Sequence, residues 1–174
     1  MTCPRLRDPR PLANSDATWK VIAADLPIGL ISEDAIALGD GPPERREHEI
    51  ADLLSFMKRA GVRNTVYDPN RAVFQDFEPF WEFVSGPLHA GTWAPAELDN
   101  TFGTAAMFQK GCTAQQGENL APCFGLQFFG RVDIDGRSGI MTVTLKDVDD
   151  RALWSVDIEP RPDARPGRIL AHHI

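Results

Sequence analysis

Residues 74–91, FQDFEPFWEFVSGPLHAG, constrain the fold of this chain more than any other stretch. Five aromatic rings, Phe74, Phe77, Phe80, Trp81 and Phe83, fall within ten residues. Aromatic side chains are the largest apolar units a chain can bury, so a cluster this dense predicts a core around which the other segments pack. The stretch closes with a Ser85-Gly86-Pro87 turn and then His89, a histidine on a loop beside apolar rings. His89 has two readings: phosphate binding or support of a metal ligand, and a hydrogen-bonded structural histidine.

Around this block the chain alternates helix and strand signals. Residues 44–60, ERREHEIADLLSFMKRA, predict a helix, because Ile50, Leu53, Leu54 and Met57 recur at i, i+3, i+4 and i+7. Acidic residues crowd its start, Lys58 and Arg59 sit in its last turn, and Gly61 follows as a stop. His48 and Glu49 are adjacent, so they do not form the i, i+4 pair of a helical zinc site and are expected to face solvent. Upstream, residues 19–24 (WKVIAA) form a short continuous apolar run, which predicts a strand covered on both faces. Residues 62–66 begin another strand that breaks at once into the turn Tyr67-Asp68-Pro69-Asn70. Gly39-Asp40-Gly41-Pro42-Pro43 reads as a turn, since no GK[ST] or GxGxxG pattern follows to make a phosphate loop.

Residues 92–120 are punctuated by Pro95, Gly103, Gly111 and Gly117 and predict a long functional or mobile loop. Three β-runs follow, over 126–134, 140–145 and 152–158, separated by Asp135-Gly136-Arg137-Ser138-Gly139 and Asp147-Val148-Asp149-Asp150. Apolar and polar residues alternate in the last two, which predicts an antiparallel meander half-buried on one face. Residues 1–17, with Pro4, Pro9 and Pro11, read as a poorly ordered lead-in, and 161–174 as a frayed tail. The fold class expected is α/β, or α+β as a fragment, over 18–160.

Composition removes several function classes. A length of 174 residues suits one domain with a sizeable core. The net charge of −7 does not steer nucleic acid or an anionic membrane toward the chain, and a phosphorylated ligand would need a local cation. No run approaches the roughly 18 apolar residues of a membrane span. The arginines of the first segment are not followed by the apolar stretch of a signal peptide. Cys3, Cys112 and Cys123 show no CxxC spacing and read as free thiols, with a Cys112–Cys123 bridge as the alternative in an oxidising compartment. His172-His173 lies in the tail without carboxylate support and reads as solvated.

Few residues carry recognisable chemistry. Asp25 at the end of the first apolar run and Asp40 in the glycine loop are candidate metal-binding carboxylates, with a strand cap and a turn as the plain alternatives. Arg45, Arg46 and Arg71 are candidates for bidentate contact with a phosphate, against solvated surface arginines. No Ser-His-Asp or Cys-His arrangement stands out as a nucleophile system.

The blocks WKVIAADLPIGL, EIADLLSFMKRAGVRNTV, YDPNRAVFQDFEPFWEFVSGPLHAGTW, LDNTFG and GLQFFGRVDIDGRSGIMTVTL, in this order, resemble the carboxy-terminal part of alkaline phosphatase D-type proteins, the PhoD-like metallophosphoesterases. The resemblance runs from about Thr18 to Pro160. It implies an α/β/β/α sandwich and metal-assisted hydrolysis of phosphate mono- or diesters, with calcium, iron, manganese or zinc as the metal. Family members are often exported. Two departures bear on activity. The family's early metal-binding blocks have no counterpart before WKVIAAD, and the family's WLTADVHY-type segment, which supplies an aspartate and a histidine, is lacking where Val66 meets Tyr67. The expectation is therefore a phosphoesterase framework that is inactive as an isolated chain. The alternative is a non-catalytic remnant that binds a partner or associates with a second copy of itself through apolar surface left open.

Overall fold

A computed structural model describes residues 15, 17–22, 28–31, 39–59, 67–86, 88 and 90–160. Helix α1, Glu47–Arg59, forms where the apolar periodicity places it. Its entry is fixed by a back-bond in which the buried Glu47 carboxylate accepts the Glu44 N–H at 2.8 Å. Ile50, Ala51, Leu53 and Leu54 are buried along one stripe, while His48 faces solvent as expected. Against this stripe pack Tyr67, Ala72, Phe77 and Phe102, with Phe74 and Phe80 partly buried at the margin.

The aromatic block thus seeds the core, but it divides. Phe77 is 2% exposed and meets Phe80 and Phe102 edge-on at 5.9 and 6.3 Å. Trp81 and Phe83 leave this cluster and lie half-buried on the far side. The turn at residues 68–71 forms as its sequence asks: the Asp68 Oδ1 accepts the Asn70 N–H at 2.9 Å and the Arg71 N–H bonds back to the Asp68 carbonyl.

Two antiparallel sheets complete the described structure. Strands β1 (Leu30–Ile31) and β2 (Glu97–Leu98) pair as Leu30↔Leu98 and Ile31↔Glu97. Strands β3 (Phe128–Ile134), β4 (Met141–Asp147) and β5 (Ala152–Ile158) make the meander in the order β3-β4-β5, with a bulge between Leu145 and Lys146. Asp135 builds the first turn by accepting from the backbone and side chain of Ser138 and from the Arg137 N–H; these bonds hold its carboxyl below the usual range. One face carries Met141 and Val143, both buried, paired with Ile134 and Val132, which stay more than half exposed. The other face is polar: Thr142 donates to Asp157 at 2.6 Å, and Thr144 and Ser155 meet at 3.1 Å.

Among the described residues one α-helix with antiparallel sheets is an α+β arrangement, in keeping with the fold class expected. The strand expected over 19–24 is not formed at residues 19–22. Trp19 is held instead by its indole N–H, which donates to the Gly139 carbonyl at 2.8 Å, and Val21 stays 75% exposed. An apolar run becomes a strand only where a neighbouring backbone accepts its hydrogen bonds, and none is paired with it among the described residues. The strand start at 62–66, the lead-in at 1–14 and the tail from 161 lie outside the described residues.

Candidate functional site

Residues 81–86 form no helix or strand and line one wall of a cleft. Trp81 and Phe83 share a side and stack at 5.5 Å with planes 2° apart. Glu82 between them anchors the segment: its Oε1 accepts the Ile28 N–H at 2.8 Å and its Oε2 accepts the Tyr67 hydroxyl. Tyr67 is 3% exposed, and burial first, then the Glu82 charge and hydrogen bond, push its pKa far up. Gly29 is required here, because a Cβ at this position would lie 2.1 Å from Thr104 Oγ1 and 2.6 Å from the Tyr67 oxygen.

The opposite wall comes from the long loop. Its ends are tied together by paired backbone bonds between Thr92 and Leu120, both 3.0 Å, and the Thr92 hydroxyl donates to the Leu126 carbonyl at 2.6 Å. Cys112 is buried against the Thr92 carbonyl, while Cys123 is exposed, and both are free thiols as expected. The loop brings Trp93, Met107, Phe108 and Lys110 over the sheet. The sheet supplies Phe128, Leu145 and Trp154 from its apolar face, with Leu153 from the bulged edge.

Between these parts lies an open cleft of about 1000 Å³. Phe108 stacks on Trp154 at 6.3 Å and 17°, and Trp154 tilts 42° to Trp81 at the same separation. The Lys110 ammonium stands 5.8 Å from the Phe128 ring centre. Apolar walls with a few placed polar groups are the ordinary make-up of a small-molecule site.

Of the residues singled out from sequence, those described lie elsewhere. Asp40 is exposed; its Oδ1 accepts the Asn100 N–H at 2.9 Å while Asn100 Oδ1 takes the Gly41 N–H at 3.2 Å, a clasp between two loops. Arg45 and Arg46 are exposed in the turn before α1, and Arg71 is exposed in the 68–71 turn. None of Asp40, Arg45, Arg46 or Arg71 lines the cleft. Asp25 and His89 lie outside the described residues.

The metal ions implied by the resemblance need several oxygen or imidazole donors converging on one point. Among the described residues no three His, Cys, Asp or Glu side chains come close enough to hold one. Asp99, which sequence reasoning passed over, comes nearest in character. It is 1% exposed, its Oδ1 accepts the Thr101 N–H and hydroxyl at 3.0 Å each, and its Oδ2 has no partner. A single buried carboxylate oxygen without converging donors does not fit a catalytic metal, so no hydrolytic step is derived through one.

No curated protein and no solved structure matches the chain. The family model of PhoD-like phosphatases does, over residues 9–145, from within the lead-in through α1, the aromatic block and the long loop to β4. A match over that much of a 174-residue chain places the protein in the PhoD-like phosphatase family.

Proposed function

We propose that this chain keeps the framework of a PhoD-like phosphoesterase and does not itself hydrolyse phosphate esters. The family match supports a phosphoesterase lineage. The observation that carries the finer reading is the lack of a converging donor set among the described residues, together with the direct junction of Val66 and Tyr67 where the family's Asp- and His-bearing segment is expected. In this family's chemistry metal ions carry most of the charge neutralisation at a phosphoryl group in transfer, and no donor set for them converges among the described residues. Elemental analysis of the purified chain, beside turnover of nitrophenyl phosphate mono- and diesters with added calcium, iron, manganese or zinc, tests this. The expected result is no stoichiometric metal and no metal-dependent turnover. Stoichiometric metal with turnover overturns it, and Asp25, Asp40 and His89 then become the first positions to replace.

One observation favours a second reading, association with another copy of the chain. Val132 and Ile134 continue the buried Val143 and Met141 across the meander yet remain 56% and 52% exposed. A second sheet face of the same kind would cover them. Sedimentation velocity on the wild type and on Ile134→Glu reads it: a dimer that the substitution splits supports association, and a monomer across the concentration range refutes it.

A further inference from the structure

We propose that the cleft between residues 81–86, the 92–120 loop and the meander binds a planar aromatic anion, with the ring stacked on the aromatic side chains of its walls and the anionic group at Lys110. This goes beyond the reading above and assigns no bond breaking. Three features lead to it. The volume, about 1000 Å³, is at the upper end of what a small ligand fills, and the cleft opens to solvent. Its walls hold ring pairs in near-parallel planes, Trp81 on Phe83 and Phe108 on Trp154. A flat ring extends such stacks at the same spacing, whereas an aliphatic body gains no stacking from them.

Charge then orients the ligand. Among the described lining residues Glu82 and Lys110 are the charged ones. Both Glu82 oxygens are already engaged, one by the Ile28 N–H and one by the Tyr67 hydroxyl. Lys110 makes no ion pair among the described residues and rests only over the Phe128 ring. An acid on the ligand is therefore repelled from the Glu82 side and drawn to the ammonium at the exposed rim, where it has a partner without displacing one. A cationic aromatic would meet the reverse arrangement: its partner carboxylate is occupied and Lys110 repels it.

Isothermal titration calorimetry with naphthalenesulfonate, neutral naphthol and naphthylmethylammonium tests the proposal, using the whole chain. The anion is expected to bind saturably at one site, tighter than naphthol, with the cation weakest. Lys110→Ala, a substitution at an exposed side chain, is expected to weaken the anion about tenfold and leave naphthol unchanged. Phe108→Ala is expected to weaken both. Equal affinity for anion and naphthol, an unchanged anion affinity in Lys110→Ala, or no saturable binding overturns the proposal. Heat of binding is read without turnover, so the result does not depend on whether the chain hydrolyses anything.

Discussion

Tyr67 is the only tyrosine in the chain, so the protonation of one buried hydroxyl can be followed by itself through the ultraviolet absorbance of tyrosinate. In the native structure the ring is 3% exposed and its hydroxyl donates to Glu82. Burial and the adjacent negative charge both oppose ionisation, and together they raise the pKa far above its ordinary 10.0. The sign of the consequence follows from proton counting. Above about pH 10 an unfolded chain releases this proton while the native chain keeps it, so the unfolded state binds fewer protons and stability falls as pH rises. Below about pH 10 the contribution is complete; above it the loss is about 1.4 kcal/mol per pH unit, or about 2 kcal/mol by about pH 11.5. Two readings check it. A rapid jump to alkaline pH should give no tyrosinate signal until the far-ultraviolet circular dichroism is lost, with both changes together. Urea midpoints should then fall more steeply with pH in the wild type than in Tyr67→Phe, which lacks the titrating group. Tyrosinate forming near pH 10 in a chain that keeps its native circular dichroism would refute the burial of Tyr67 and its pairing with Glu82.

Two further substitutions probe the framework. Phe77→Ala, at a ring almost fully enclosed by Phe74, Phe80 and Phe102, should lower stability by about 3–5 kcal/mol in urea denaturation; Trp81→Ala, at a half-buried ring of the cleft, should cost only about 1–2 kcal/mol. Gly103→Ala should cost at least about 2 kcal/mol by the same assay, because φ there is +66° and the new Cβ would stand 2.3 Å from the Asp68 carbonyl oxygen.

Local signals carried much of the framework. The spacing of Ile50, Leu53 and Leu54 locates α1, and the alternation in 141–145 and 153–158 locates two strands of the meander, since each pattern is set by the geometry of one element. The division of the aromatic block was not legible. Phe77 and Trp81 are equally apolar neighbours, and only the path of the chain after Phe80, fixed by Glu82 reaching Tyr67 and Ile28, sends one inward and the other to the cleft. The candidate site was less legible still. Its walls come from segments brought together by Thr92–Leu120 pairing and by the sheet, and backbone bonds between distant residues leave no mark on residue type. Asp40 shows the same limit: a carboxylate between glycines reads alike whether it meets a metal or, as here, the Asn100 amide.

The tie between Thr92 and Leu120 also governs what can change in this molecule at small cost. It pins both ends of the loop. Upstream, residues 97–103 are tied to β1 and the core, and the Gly103 carbonyl accepts the Asp68 N–H, so it is between Gly103 and Leu120 that inserted residues lengthen a closed ring without pulling on the helix or the sheet. The entropy of closing such a ring grows only with the logarithm of its length, about 0.6 kcal/mol for each doubling. Phe108 and Lys110 lie inside that ring, whereas Trp81 and Trp154 lie on the fixed wall. One side of the cleft is therefore free to drift in size and charge over evolutionary time while the other stays tied to the core, and ligand preference becomes a property of loop length more than of fold.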